Sequence, residues 1–111
     1  MQQPTPRGVL DTAFEALSDP TRRHVLTEVM ANSPLDIEQV LGELPAAVGS
    51  ESAAPAVTAH HVHVPKLADA EFIEWDRESG VIRRGPRFHD IEPVLTVLDE
   101  NDGKLPGGWP C

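Results

Sequence analysis

Apolar residues recur at helical spacing through most of this chain and alternate with polar ones over one short stretch near residue 75. Leu10, Ala13, Phe14 and Leu17 mark a first helix from Val9 to about Leu17. Ser18-Asp19-Pro20-Thr21 then breaks and restarts the chain. The Asp19 carboxylate suits an N-cap, and Pro20 suits the first helical position, where it has no N–H to leave unpaired. Val25, Leu26, Val29 and Met30 share the inner face of a second helix ending near Ala31-Asn32. Asp36-Ile37-Glu38-Gln39 has capping-box spacing with Gln39 at the third helical position, and Ile37, Val40, Leu41 and Leu44 supply that helix's buried side. From Pro45 to Pro55 small residues, Gly49 and two prolines give no periodic face, so this segment reads as a loop or a frayed helix start.

A fourth helix is predicted from about Ala56 to Ala70, with Val57, Val64, Leu67 and Ala68 on one side. The ring of Pro65 opposes the carbonyl of His61, which predicts a kink or two short pieces. Phe72–Asp76 and Val81–Arg84 alternate as half-buried strands around the turn Arg77-Glu78-Ser79-Gly80, which makes a β-hairpin. After Gly85-Pro86 a last helix over about residues 90–101 carries Ile91, Val94, Leu95 and Leu98, with Asp90 as its cap and Pro93 in its first turn. Residues 1–8 read as a loose tail and 103–111 as an irregular one, leaving a single domain over 9–102. The order α-α-α-α-β-β-α predicts a mainly helical fold with a hairpin wing, the winged helix-turn-helix pattern, in which the helix before the hairpin is the reader.

Composition narrows the setting. At 111 residues and 40% apolar content the core is small, so a dimer interface would add to it. Eighteen acids against nine bases give a net charge of −9, which argues against a protein that coats nucleic acid indiscriminately. With Lys66 and Lys104 as the only lysines, that surplus suits a surface hydrated in concentrated salt, and a halophilic cytoplasm is the expected setting. One cysteine, Cys111, excludes an internal disulfide and points to a reducing compartment. No apolar run approaches the ~18 residues that span a bilayer, and MQQPTPRG has no apolar signal core, so a cytoplasmic protein without a membrane partner is expected.

The string Phe14-Glu15-Ala16-Leu17-Ser18-Asp19-Pro20-Thr21-Arg22-Arg23-His24-Val25-Leu26 resembles the opening signature of ArsR-type winged-helix regulators. His63-Val64-Pro65-Lys66-Leu67-Ala68-Asp69-Ala70-Glu71-Phe72-Ile73 is similar to the string with which that family ends its recognition helix and enters the wing. The likeness spans roughly residues 9–100 and is nearest to the small ArsR-like regulators of haloarchaea. It implies a DNA-binding fold and a two-fold dimer built from the terminal helices. Three departures stand out. Glu71 replaces a glycine, where a left-handed backbone would cost about 1 kcal/mol; the loop before the reader is longer; and Pro65 replaces an ordinary helix former.

Residues 79–89 hold Arg83, Arg84 and Arg87 and no acid, so a basic wing stands out from an acidic body. A helical projection turns Ala59, Val62 and Lys66 outward, with His61 and His63 on the flanks, while His60 faces the core. Lys66 would meet a phosphate or a guanine edge, His63 could donate to a phosphate or base, and an outward Val62 suits a thymine methyl. Ala59, His61, Val62, His63, Lys66, Arg83, Arg84 and Arg87 are therefore the candidate contacts to double-stranded DNA. Leu10, Phe14, Ile91, Leu95 and Leu98 are the candidate homodimer surface, which would set two readers on a palindromic operator. The alternative for these five is closure of the monomer's own core. His60 and His63 lie one turn apart, yet the family's cysteine-pair metal box is absent, so no metal site is expected. No phosphate loop, nucleophile elbow or His-Glu-x-x-His helix is present, so neither an enzyme, a cofactor nor a small-molecule substrate is expected. Two other readings stay open: a winged-helix module that binds protein instead of DNA, and a histidine-based metal or ligand sensor.

Overall fold

The structure is a computed structural model that describes residues 8–42, 62–107, 109 and 110. The Pro45–Pro55 segment, Ala59, His61, Cys111 and most of the predicted first half of the reader helix lie outside these residues. The elements are α1 (Val9–Ala16), α2 (Pro20–Asn32), β1 (Leu35–Asp36), α3 (Ile37–Gly42), α4 (Val64–Asp69), β2 (Ile73–Asp76), β3 (Val81–Arg84) and α5 (Phe88–Glu100), followed by a single 3₁₀ turn at Asp102–Lys104. The fold is thus mainly helical with a small three-stranded antiparallel sheet.

Caps and turns explain where the elements begin. The Asp19 carboxylate accepts from the Thr21 N–H at 2.7 Å and Pro20 opens α2. The Asp36 carboxylate accepts from the Glu38 N–H at 2.8 Å at the head of α3. In the turn after β2, Asp76 Oδ1 takes the N–H groups of Glu78 and Ser79, and Gly80, at φ 77°, returns the chain with its N–H on the Asp76 carbonyl.

β1 is the element the sequence pattern does not predict. Its two residues pair with Ile82 and Val81, making the strand order β1-β3-β2. Next to it, the Ile37 N–H donates to the Gly80 carbonyl at 2.7 Å, which ties the head of α3 to the hairpin turn. The last helix also departs from expectation, starting at Phe88 rather than after Asp90. Phe88 is buried, so the helix must begin early enough to turn that ring inward. Asp90 becomes its third residue, where a carboxylate complements the helix dipole. Pro93 lies inside the helix and cannot donate to the His89 carbonyl, but both residues are exposed.

The core lies between the helices and the inner face of the sheet. Val25, Leu26 and Val29 of α2 meet Val40, Val64, Leu67, Ile73 and Ile82, and Ile91 and Leu95 of α5 close it from the far side. α1 packs on α5, and α4 on β2. His24 bridges α2 and α3 through its contact with the Val40 carbonyl at 3.2 Å. Arg23 reaches the Leu17 carbonyl and the Pro110 carbonyl, so the chain beyond α5 folds back onto the α1–α2 elbow.

Candidate nucleic-acid interface

Pro65 falls in the first turn of α4, the position where a missing N–H is tolerated. Val64 and Leu67 are fully buried, which turns Val62 (50% exposed) and Lys66 outward. At its other end α4 stops in a Schellman motif. The Phe72 N–H donates to the Leu67 carbonyl at 3.1 Å and the Glu71 N–H to the Ala68 carbonyl at 2.9 Å, with Phe72 and Leu67 in the core. The motif requires a left-handed residue, and Glu71 occupies it at φ 67°. The chain then runs straight into β2, and β3 returns beside it in the register Glu74–Arg83 and Trp75–Ile82.

His63 sits differently from its sequence-predicted place at a DNA groove. It packs against the α1–α2 elbow, where its Nδ1 lies 2.9 Å from Arg22 Nη1 and its Nε2 faces Asp19 Oδ1 at 3.5 Å. A guanidinium only donates, so Nδ1 is the acceptor and the ring proton resides on Nε2. Burial pushes the imidazole pKa down from its ordinary 6.5, with Arg22 and Lys66 acting in the same direction and Asp19 opposing them. Arg22 is itself 7% exposed. Its remaining donors hold the Ala16 carbonyl at 2.8 Å, the Glu15 carbonyl at 3.0 Å and Ser18 Oγ at 2.9 Å. Arg22 is not among the sequence candidates; it stands in an Arg22-Arg23 pair one turn after the Asp19-Pro20 break, and nothing in that pair marks which arginine turns inward.

The other cations are exposed to different degrees of use. Lys66 Nζ meets Glu15 Oε2 at 3.2 Å. Arg83 points outward opposite Glu74. Arg84 folds back over the Phe88 ring at 5.0 Å, and its guanidinium donates to the Met30 carbonyl and approaches Glu92 at 3.7 Å. Its own N–H donates to Ser33 Oγ at 3.1 Å, so it fastens the hairpin base. Arg87 Nε pairs with Asp90 Oδ2 at 3.1 Å. At the tip of the β2–β3 hairpin Arg77, not among the sequence candidates, covers the Trp75 ring at 4.6 Å.

A family described as "Domain of unknown function (DUF7344)" matches residues 14–83. The chain belongs to the DUF7344 family. The matched span of the DUF7344 domain runs from the last turn of α1 to Arg83 in β3, so it takes in the elbow, α4 and the hairpin but not α5. No curated protein and no solved structure matches the chain.

The apolar residues of the two terminal helices of this DUF7344 protein divide into two groups. Ile91 and Leu95 are fully buried in the domain's own core and are closed to a partner, and Leu98 is half-buried against that core. Leu10 and Phe14 are 53% and 54% exposed and are joined by Val9 and Val97, which are also exposed. Among the described residues no cluster of His, Cys, Asp or Glu could hold a metal ion. Among them, too, no helix is long and apolar enough to cross a membrane.

Proposed function

We propose that this DUF7344 domain is a winged-helix regulator that binds duplex DNA, with α4 as reader and the β2–β3 ribbon as wing. One observation carries the reading: a helix fixed at its C-terminal end by a Schellman motif leads directly into an antiparallel ribbon, and its outward side presents Val62 and Lys66. A strand before α3 that pairs with β3 supports the same architecture. Arg83 and, where salt screens its pairing with Asp90, Arg87 are the wing cations placed to meet a phosphate, because Arg84 is spent on the Met30 carbonyl. In molar salt the Debye length is about 3 Å, so surface pairs such as Lys66–Glu15 hold weakly and Lys66 is available to a phosphate. Exposed Leu10, Phe14 and Val97 support a homodimer through α1 and α5, without Ile91 and Leu95.

The test is duplex binding followed by fluorescence anisotropy across a salt series. Each phosphate contact contributes about −0.9 to the slope of log K against log salt. Lys66→Ala and Arg83→Ala should each flatten the slope by about that amount. A slope unchanged in both variants refutes the assignment of these contacts. A second reading, a winged-helix module that binds protein, is favoured by the carboxylates that interleave the cations: Glu15 at Lys66, Glu74 opposite Arg83 and Asp90 at Arg87. Absence of binding to every duplex in a randomised pool selects that reading.

A further inference from the structure

We propose that Arg22 and His63 form a latch that positions the reader helix on the α1–α2 elbow, and that protonation of His63 opens it. Its consequence for DNA rests on the reading above; the latch itself does not.

The geometry makes Arg22 a fixed part and His63 the moving one. Three of the Arg22 donor contacts go to the end of α1 and to the elbow, at Ala16, Glu15 and Ser18, and these hold the guanidinium whatever α4 does. The fourth crosses to His63, the residue immediately before Val64, where α4 begins. It is one of two polar contacts from His63 to the elbow, the other being Nε2 with Asp19 Oδ1 at 3.5 Å, and it requires a bare lone pair on Nδ1. Protonation places an N–H there, donor against donor and cation beside cation, at a partner that cannot turn away. Asp19 holds Nε2 in both states, so the ring must pivot off Arg22 about that contact.

The charges facing His63 come from each element around it: Asp19 and Arg22 at the head of α2, Lys66 from α4, and Glu15 of α1 behind Lys66. Burial and the two cations outweigh Asp19, so the folded domain binds this proton less readily than the unfolded chain does. The sign follows: the latch is complete above the ordinary imidazole value of 6.5 and is lost as pH falls below it through the lowered one.

The experiment is amide hydrogen exchange of the full chain at about pH 7.5 and about pH 5, corrected for intrinsic rates, on the wild type and His63→Gln. Glutamine offers an oxygen to Arg22 and an N–H to Asp19 without titrating, so it keeps the latch closed at both values. We expect the amides of Leu67 and Ala68 to exchange roughly tenfold faster at the lower pH in the wild type and equally at both in His63→Gln. A flat wild-type response, or a His63→Gln response that follows the wild type, overturns the latch. So does an imidazole nitrogen spectrum at the higher pH with the proton on Nδ1. A parallel duplex titration separates the two claims. If α4 responds as expected while no duplex binds at any pH, the latch stands and the DNA reading falls.

Discussion

Glu71→Gly tests the most strained backbone position described in the chain. Glu71 holds the left-handed place of the α4 Schellman motif at φ 67°, and its carbonyl accepts the Arg87 N–H at 2.8 Å. An L-residue costs roughly 1–2 kcal/mol in that conformation. Glycine removes the cost but gives up about 0.5–1 kcal/mol of additional freedom in the unfolded chain. The net expectation is a gain of about 0.5–1 kcal/mol, or roughly 3–6 °C in Tm for a domain of this size. Glu71 also lines one concavity with Asp69, Arg87 and Asp90, so the substitution changes local charge as well as the backbone. Glu71→Ala separates the two effects, because it removes the carboxylate and keeps the strained Cβ. Urea and thermal unfolding of the three proteins in the same salt give the answer. Stabilisation by alanine equal to that by glycine would refute the backbone argument.

Three further outcomes follow from the same geometry. Gly85→Ala would place a Cβ 2.5 Å from the Glu71 carbonyl oxygen and 2.8 Å from Ile73 N, both backbone, so unfolding titrations should record a loss of about 3 kcal/mol or more. Asp19→Ala removes the α2 cap and should cost about 1 kcal/mol, read from the urea midpoint at unchanged m-value. The Asp76 carboxyl is held below its ordinary 3.8, chiefly by the Ser79 and then the Glu78 backbone N–H groups. Its support of the turn is therefore complete above 3.8 and fades as pH falls through the lowered value, which amide shifts of Glu78 and Ser79 should follow and Asp76→Asn should abolish.

Local chemistry was legible wherever a residue acts on its own neighbours. Asp19 and Pro20 start α2, and Gly80 turns the hairpin. What the sequence hides depends on distant partners. β1 is two residues long and exists because β3 lies beside it, so no periodicity announces it. The spacing separates outward Val62 and Lys66 from inward Val64 and Leu67 of α4, but it leaves His63 on the flank, and the Arg22 pocket decides which way that ring turns. Arg84 looks like its neighbour Arg83 in a linear charge map. Strand alternation and the nearby end of α2 give them opposite roles. Ile91 and Leu95 share a helical stripe with Leu98, and only the depth of the α5 packing separates core from surface.

The attachment of Arg84 gives the ribbon a second anchor, at the end opposite its turn. Its root is riveted to the end of α2 through Met30 and Ser33 and to α5 through Glu92 and Phe88. The tip at residues 77–80 stands about 13 Å along the strand and has its own tie, the Ile37 N–H on the Gly80 carbonyl at 2.7 Å. A chain lacking the Arg84 side chain would therefore lose the anchor to α2 and α5 while keeping the hairpin and its tie to α3.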